Sequence, residues 1–105
     1  MIIKATDQEA TTRESPAGKF ELSRKSVFNI ADTGAPFDMD HVTLSPGKRN
    51  FPHHSHAALW EVYYVVSGNA TVRMDDTSHE ASTGDTIVCP PGVAHQIINE
   101  SDENV

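Results

Sequence analysis

The chain has 105 residues, 15 of them acidic and 8 basic, for a formal net charge of −7. That length fits one domain with a modest core, burying somewhat under about 70 % of the surface its unfolded form exposes. The acidic balance excludes the basic footprint of a DNA- or RNA-binding module and argues against docking on anionic membranes. No apolar window approaches membrane-spanning length, and the polar run after Ile2 and Ile3 lacks the apolar stretch of a secretory signal. Cys89 is the only cysteine, so no intrachain disulfide can form, which fits a protein of the reducing cytoplasm.

Ile2 and Ile3 predict a short first strand, followed by a polar arm to residue 18 that contains Ser15-Pro16 and Gly18. Residues 19–105 read as a single barrel domain. Phe20 and Leu22 on one parity, then Val27, Phe28 and Ile30, predict a strand region. Met39 to Leu44 predicts another, stopped by Ser45-Pro46-Gly47. The run "EVYYVVSGNATVRM" predicts a hairpin that leaves from Glu61, turns at Ser67-Gly68-Asn69 and returns through Ala70, Val72 and Met74. Asp75 to Ser78 predicts a turn and Thr83-Gly84-Asp85 the next. "TIVC" and "AHQIINES" predict two more strands, separated by Pro90-Pro91-Gly92. No stretch of helical length carries apolar residues at helical spacing. Short strands with turn signals at this density predict an all-β sandwich or barrel.

The strand from Trp60 to Val66 is apolar on both parities apart from Glu61, whereas a sheet with one solvated face should alternate. It is therefore expected to be covered on both sides, and a homodimer is the expected source of the outer cover, with Trp60 and Tyr64 at the interface.

"FPHHSHAALWE", Phe51 to Glu61, carries three of the six histidines. Residues i and i+2 of an extended segment face the same way, roughly 7 Å apart. His54 and His56 therefore share one side, with His53 and Ser55 on the other. Glu61 can return a carboxylate to the same interior, and His95, delivered by "PPGVAH", is the candidate fourth donor. Three imidazoles and a carboxylate suit one divalent transition metal: Mn, Fe, Co, Ni, Cu or Zn.

These residues fall into a pattern that resembles the cupins. The first cupin motif is matched by Gly47, His54-x-His56, Glu61 and Gly68, with one extra residue between Gly47 and His54. The second is matched at every spacing by Gly84, Pro90-Pro91-Gly92, His95 and Asn99. The resemblance spans residues 47–99 and is to the small single-domain microbial members of the cupin 2 type. It implies a cupin-type jelly-roll β-barrel or sandwich. It also implies that His54, His56, Glu61 and His95 hold one divalent metal inside the barrel. Relatives run on past the turn after Asn99 into another strand, so the closing strand here is expected to be missing or supplied by a partner subunit.

The function this implies is a small metal-dependent enzyme, of dioxygenase or sugar(-phosphate) isomerase type, acting on a small polar metabolite held in the barrel. The reading from a different class is a non-catalytic small-molecule binding or sensing module. Outside the ligand set, His41 and Tyr63 are the candidates for a catalytic base, and Lys48, Arg49 and Arg73 the cations available to an anionic substrate. Arg73 alternates with apolar positions and should face outward. Cys89 reads as a small buried apolar residue, His79 as solvated, and His53 as a neighbour of the site rather than a ligand.

Overall fold

The computed structural model describes residues 1–105. Its strands are β1 (Ala10–Glu14), β2 (Glu21–Phe28), β3 (Met39–Thr43), β4 (Glu61–Tyr64), β5 (Asn69–Met74), β6 (Thr77–Ser82), β7 (Thr86–Cys89) and β8 (His95–Ile98). They form three antiparallel groups, ordered β1-β2-β3, β4-β7 and β6-β5-β8. Single bridges from Arg49 to Ile98 and from His54 to His95 lengthen the last group by one more extended segment. The first two groups make one wall of a jelly-roll sandwich and the third makes the other. Leu22 and Leu44 contribute to the core from the β2–β3 side, and Val65, Ile87 and Cys89 from the β4–β7 side. Ala70, Val72, Ala81 and Ile97 meet them from the opposite wall. No helix is long and apolar enough to cross a membrane.

The all-β class agrees with the sequence, but several local expectations do not. Ile2 and Ile3 form no strand; the first strand is β1, inside the segment expected to be a polar arm, and it pairs with β2 from Ala10↔Lys25 to Glu14↔Glu21. A one-turn helix, Ile30–Thr33, was not expected. Its start is fixed by Asn29, whose side-chain oxygen accepts from the Asp32 amide, and its end by Gly34 at φ 71°.

The Ser67-Gly68-Asn69 turn does not close a hairpin. β4 pairs with β7 (Glu61↔Cys89 to Tyr64↔Thr86), while β5 pairs with β6 and β8. The turn carries the chain from one wall to the other, as long-range sandwich pairing requires. Gly68 is obligatory there: at φ 88° a Cβ would lie 2.6 Å from the Asn104 carbonyl oxygen. The true hairpin is β5–β6, closed by Asp75 and Asp76 between Met74 and Thr77.

The wall containing β3 and β4 has a gap between them. The Leu44 amide donates to Val105 (2.7 Å) and the Val105 amide to Leu44 (3.0 Å), forming one antiparallel rung just past the end of β3. Gly68, just past the end of β4, packs against Asn104 and Val105. So Val105 stands between the two strand ends, and below it β3 and β4 have no strand between them. Asn99, fully buried, fixes this arrangement. Its Nδ2 donates to the carbonyls of Leu44 and Glu103, and its Oδ1 accepts from the Ser101 amide and hydroxyl.

Candidate metal centre

Three separate segments bring the site together. The His54 amide donates to the His95 carbonyl and the His95 amide to the His54 carbonyl, so the histidine segment is stitched to the start of β8. The Gly92 amide donates to the His56 carbonyl (2.8 Å), using the φ 83° turn after Pro90 and Pro91 to hold the segment's other end. Glu61 enters at the start of β4 from the opposite wall. In that register Glu61, Tyr63 and Val65 share a face, and buried Val65 shows that it is the inward one.

The result is a four-residue cluster, His54, His56, Glu61 and His95, whose nearest donor atoms all lie within 4.8 Å of one another. The imidazole centroids are 5.0 Å (His54–His56), 4.7 Å (His54–His95) and 5.8 Å (His56–His95) apart. Backbone carbonyls orient two of the rings. Nδ1 of His54 lies 2.7 Å from the Pro52 carbonyl and Nδ1 of His95 3.0 Å from that of Val93. A carbonyl only accepts, so each Nδ1 carries a proton, and Nε2 is the nitrogen available to a metal.

Glu61 is the hub. Oε2 lies 2.7 Å from Nε2 of His95 and accepts from the Tyr63 hydroxyl at 2.5 Å. Oε1 is 2.9 Å from Nε2 of His56, but off the line of a hydrogen bond, so that buried nitrogen has no hydrogen-bond partner. Burial pushes the Glu61 carboxyl up. Hydrogen bonds from Tyr63 and His95 and the charge of nearby His56 and His95 together outweigh it, and the pKa lies below the ordinary carboxylate value. The four residues fit a divalent cation. An anionic oxygen faces ring nitrogens, two of them on rings whose Nδ1 is turned to a carbonyl, and a buried nitrogen lacks any hydrogen-bond partner.

The remaining candidates divide. Tyr63 joins the site, but burial and its bond to Glu61 raise its pKa far above the usual phenol value, so it is a donor there. His41 does not join the cluster: Val42 packs toward the core, and His41, on the opposite parity of β3, is exposed on the outer face. His53 stays outside the cluster, as its parity requires. Arg73 is exposed. Lys48 donates to the Gly18 carbonyl and pairs with Glu21, so its charge already has a partner. Cys89 is buried opposite Glu61, and burial pushes its thiol up to about 11.

Two residues near the interior went unread in the sequence. Asn50 is buried, and its Oδ1 accepts from the amides of Ile97 and Phe51, pinning the segment that leads into the histidines. Arg24 shares the parity of buried Leu22 on β2, across from Val42, and pairs with Asp40 at 2.8 Å. Alternation with Leu22 was the available signal for its inward face.

A family model described as "Cupin domain" matches residues 40–105. The alginate biosynthesis protein AlgA of Pseudomonas aeruginosa is 30 % identical over 95 residues, which is 89 % of this chain and 19 % of that protein. This chain thus spans less than a fifth of that relative. Among solved structures, a predicted oxalate decarboxylase of Thermotoga maritima superposes with a TM-score of 0.86 at 19 % identity, covering 99 % of this chain and 91 % of the other. A sugar phosphate isomerase of the cupin superfamily from Silicibacter pomeroyi gives 0.75 at 22 % identity, covering 99 % and 70 %.

Proposed function

The chain belongs to the cupin family, and from that premise we propose that it is a small metal-dependent enzyme acting on an oxygen-rich polar metabolite. The observation that carries this is the convergence of His54, His56, Glu61 and His95, with ring tautomers set by the Pro52 and Val93 carbonyls. These four would hold one divalent Fe, Mn, Co, Ni, Cu or Zn ion. Bound there, the ion would supply Lewis acidity toward substrate oxygens or a site for dioxygen, with positions left open by only four protein ligands. Tyr63 donates to Glu61 and so fixes the carboxylate. The two structural relatives bear the names of enzymes that act on polyoxygenated anions, which supports the substrate class and leaves the reaction open between dioxygenase and isomerase types. The buried single thiol is consistent with a cytoplasmic setting.

The test is metal analysis of the purified protein, then oxygen-uptake and sugar-phosphate isomerisation assays on the iron, manganese, nickel and zinc forms. No bound metal, with a melting temperature unmoved by any of these ions, sinks the metal reading. A loaded protein inactive in both assays, yet stabilised by a small dicarboxylate or sugar phosphate, is instead a binding or sensing module.

We also propose that the protein is a homodimer. The outward side chains of β4 and its flanks, Trp60, Val62, Tyr64 and Val66, are each more than 60 % exposed, and Val88 lies beside Val62 on β7. Together with Leu59 they make six exposed apolar side chains on and beside one strand pair, as an interface rather than a solvated sheet face would. None carries a charge, in a chain whose net charge of −7 otherwise holds copies apart. Light scattering at micromolar concentration tests this; a monomer refutes it.

A further inference from the structure

The interior of the sandwich changes character along its length. Nδ2 of Asn99 donates to the Leu44 carbonyl, so the ends of β8 and β3 meet at one point. Toward that end the inward side chains are apolar: Leu22 and Leu44 from one wall, Val72 and Ile97 from the other. Asp40 and His95 each lie four residues before the junction, one on each wall. At about 3.3 Å per residue both are roughly 13 Å from it, and so at about the same depth.

Asp40 faces the interior. On β3 it and Val42 are half-buried, whereas Met39 and His41 are exposed. Arg24 faces the same way, across from Val42 and two residues after fully buried Leu22. Its Nη2 lies 2.8 Å from Oδ2 of Asp40. Packed sheets stand about 10 Å apart, so this ion pair looks across the interior toward His95 and the histidine segment stitched to it.

The pair is poor scaffolding. Oδ1 of Asp40 is buried with no hydrogen-bond partner, and an acceptor left so costs stability. Two apolar residues beside Leu22 and Val42 would serve packing as well or better. As a binding element it is well made. The guanidinium has five N–H donors in a planar fork that matches carboxylate and phosphate oxygens, and Asp40 takes one corner of it. Both side chains stay partly accessible, at 34 % and 24 % exposure. Arg24 is also the single cation on the inward parity of β2 and β3, since Lys25 has the opposite parity.

We propose that Arg24 binds the anionic group of the substrate, a carboxylate or a phosphate, while the substrate's other oxygens reach the cluster of His54, His56, Glu61 and His95. One cation, already shared with Asp40, suits a ligand with one anionic group: a hydroxy acid or a sugar monophosphate. This rests on the metal-enzyme reading above and names its substrate class.

Calorimetry on the zinc-loaded protein tests it, with D-gluconate and glucose 6-phosphate as charged probes and sorbitol and glucose as their neutral counterparts. The wild-type protein should bind at least one charged probe about tenfold or more tightly than its neutral counterpart, and which one it is separates carboxylate from phosphate. Arg24→Gln should abolish that preference, and Arg24→Lys, which keeps the charge and loses the fork, should retain part of it. Zinc affinity should stay within a few-fold in both variants. No binding of either charged probe, a preference that survives Arg24→Gln, or a zinc affinity that falls with it overturns the proposal and leaves the metal reading standing. A wild-type protein that binds no zinc sinks the metal reading instead, and the same comparison of probes on the metal-free chain still decides Arg24. The double variant Arg24→Leu/Asp40→Leu should melt no lower than the wild type. A steep fall would make the pair scaffolding and overturn the proposal.

Discussion

The Tyr63 hydroxyl donates to Oε2 of Glu61 across 2.5 Å, from a position two residues further along the same inward face of β4. The same oxygen faces Nε2 of His95, contributed by a strand of the opposite wall. One carboxylate is thus held by its own strand and aimed at a residue 34 positions away. Removing the hydroxyl should loosen that aim without deleting a ligand. Tyr63→Phe is expected to weaken metal binding by about tenfold, within the range typical of an outer partner. Glu61→Gln, which removes the anionic ligand, should weaken it by more than ~100-fold. Titration calorimetry with Zn or Mn on both variants checks the order. Equal losses would mean that Tyr63 does more than orient Glu61.

Glu61 also gives the metal-free protein an acid sensitivity. Its folded pKa is depressed, so its contribution to stability is present above the ordinary glutamate value of 4.5 and is lost as pH falls through the lower folded value. Melting temperatures of metal-free wild-type protein should therefore drop through this acidic window more steeply than those of Glu61→Gln. Parallel curves would show that Glu61 is not held as described.

Cys89 titrates with the opposite sign. Burial, then the nearby Glu61 charge, raise its thiol to about 11, so the native state keeps a proton that the unfolded chain releases near 9. Stability should fall as pH rises from 9 toward 11, and Cys89→Ser should flatten that slope. At pH 8 the native thiol should react with a thiol reagent at the rate of global unfolding, since the residue is 1 % exposed. Rapid modification of the folded protein would contradict the burial.

The site was more legible than the sheet that carries it. Strand parity separates His54 and His56 from His53, and the spacing around Pro90-Pro91-Gly92 and His95 is local information. Strand partners are not local. "SGN" between two apolar runs looks like a hairpin, and only the pairing of β4 with β7, more than twenty residues on, makes it a crossover. β6 is "TSHEAS", polar but for the buried Ala81, so periodicity could not find it; β5 and a tight turn impose it. Arg24 and Asp40 were harder to place for a related reason. Two opposite charges read as solvated surface until the register of β2 with β3 sets them on the core-facing parity.

Asn99 tests how far the second cupin motif serves folding rather than chemistry. Its side chain touches no donor of the cluster, yet it is 0 % exposed and makes four hydrogen bonds that tie Leu44, Ser101 and Glu103 into one turn. The Asn99 carbonyl also accepts from the Gly47 amide and its amide donates to the Lys48 carbonyl, so the turn is joined to the start of the first motif. Asn99→Ala takes one donor each from the Leu44 and Glu103 carbonyls, leaves the Ser101 amide without its acceptor, and opens a small void. The expected loss is about 2–4 kcal/mol by urea denaturation, from the desolvation cost of groups left unpaired. Asn99→Asp should cost as much or more, because it replaces the two-bond amide donor with a carboxylate facing carbonyl oxygens. Metal affinity, measured where the variant is folded, should stay within a few-fold of wild type. A variant of normal stability with much weakened metal binding would move Asn99 from the scaffold to the site.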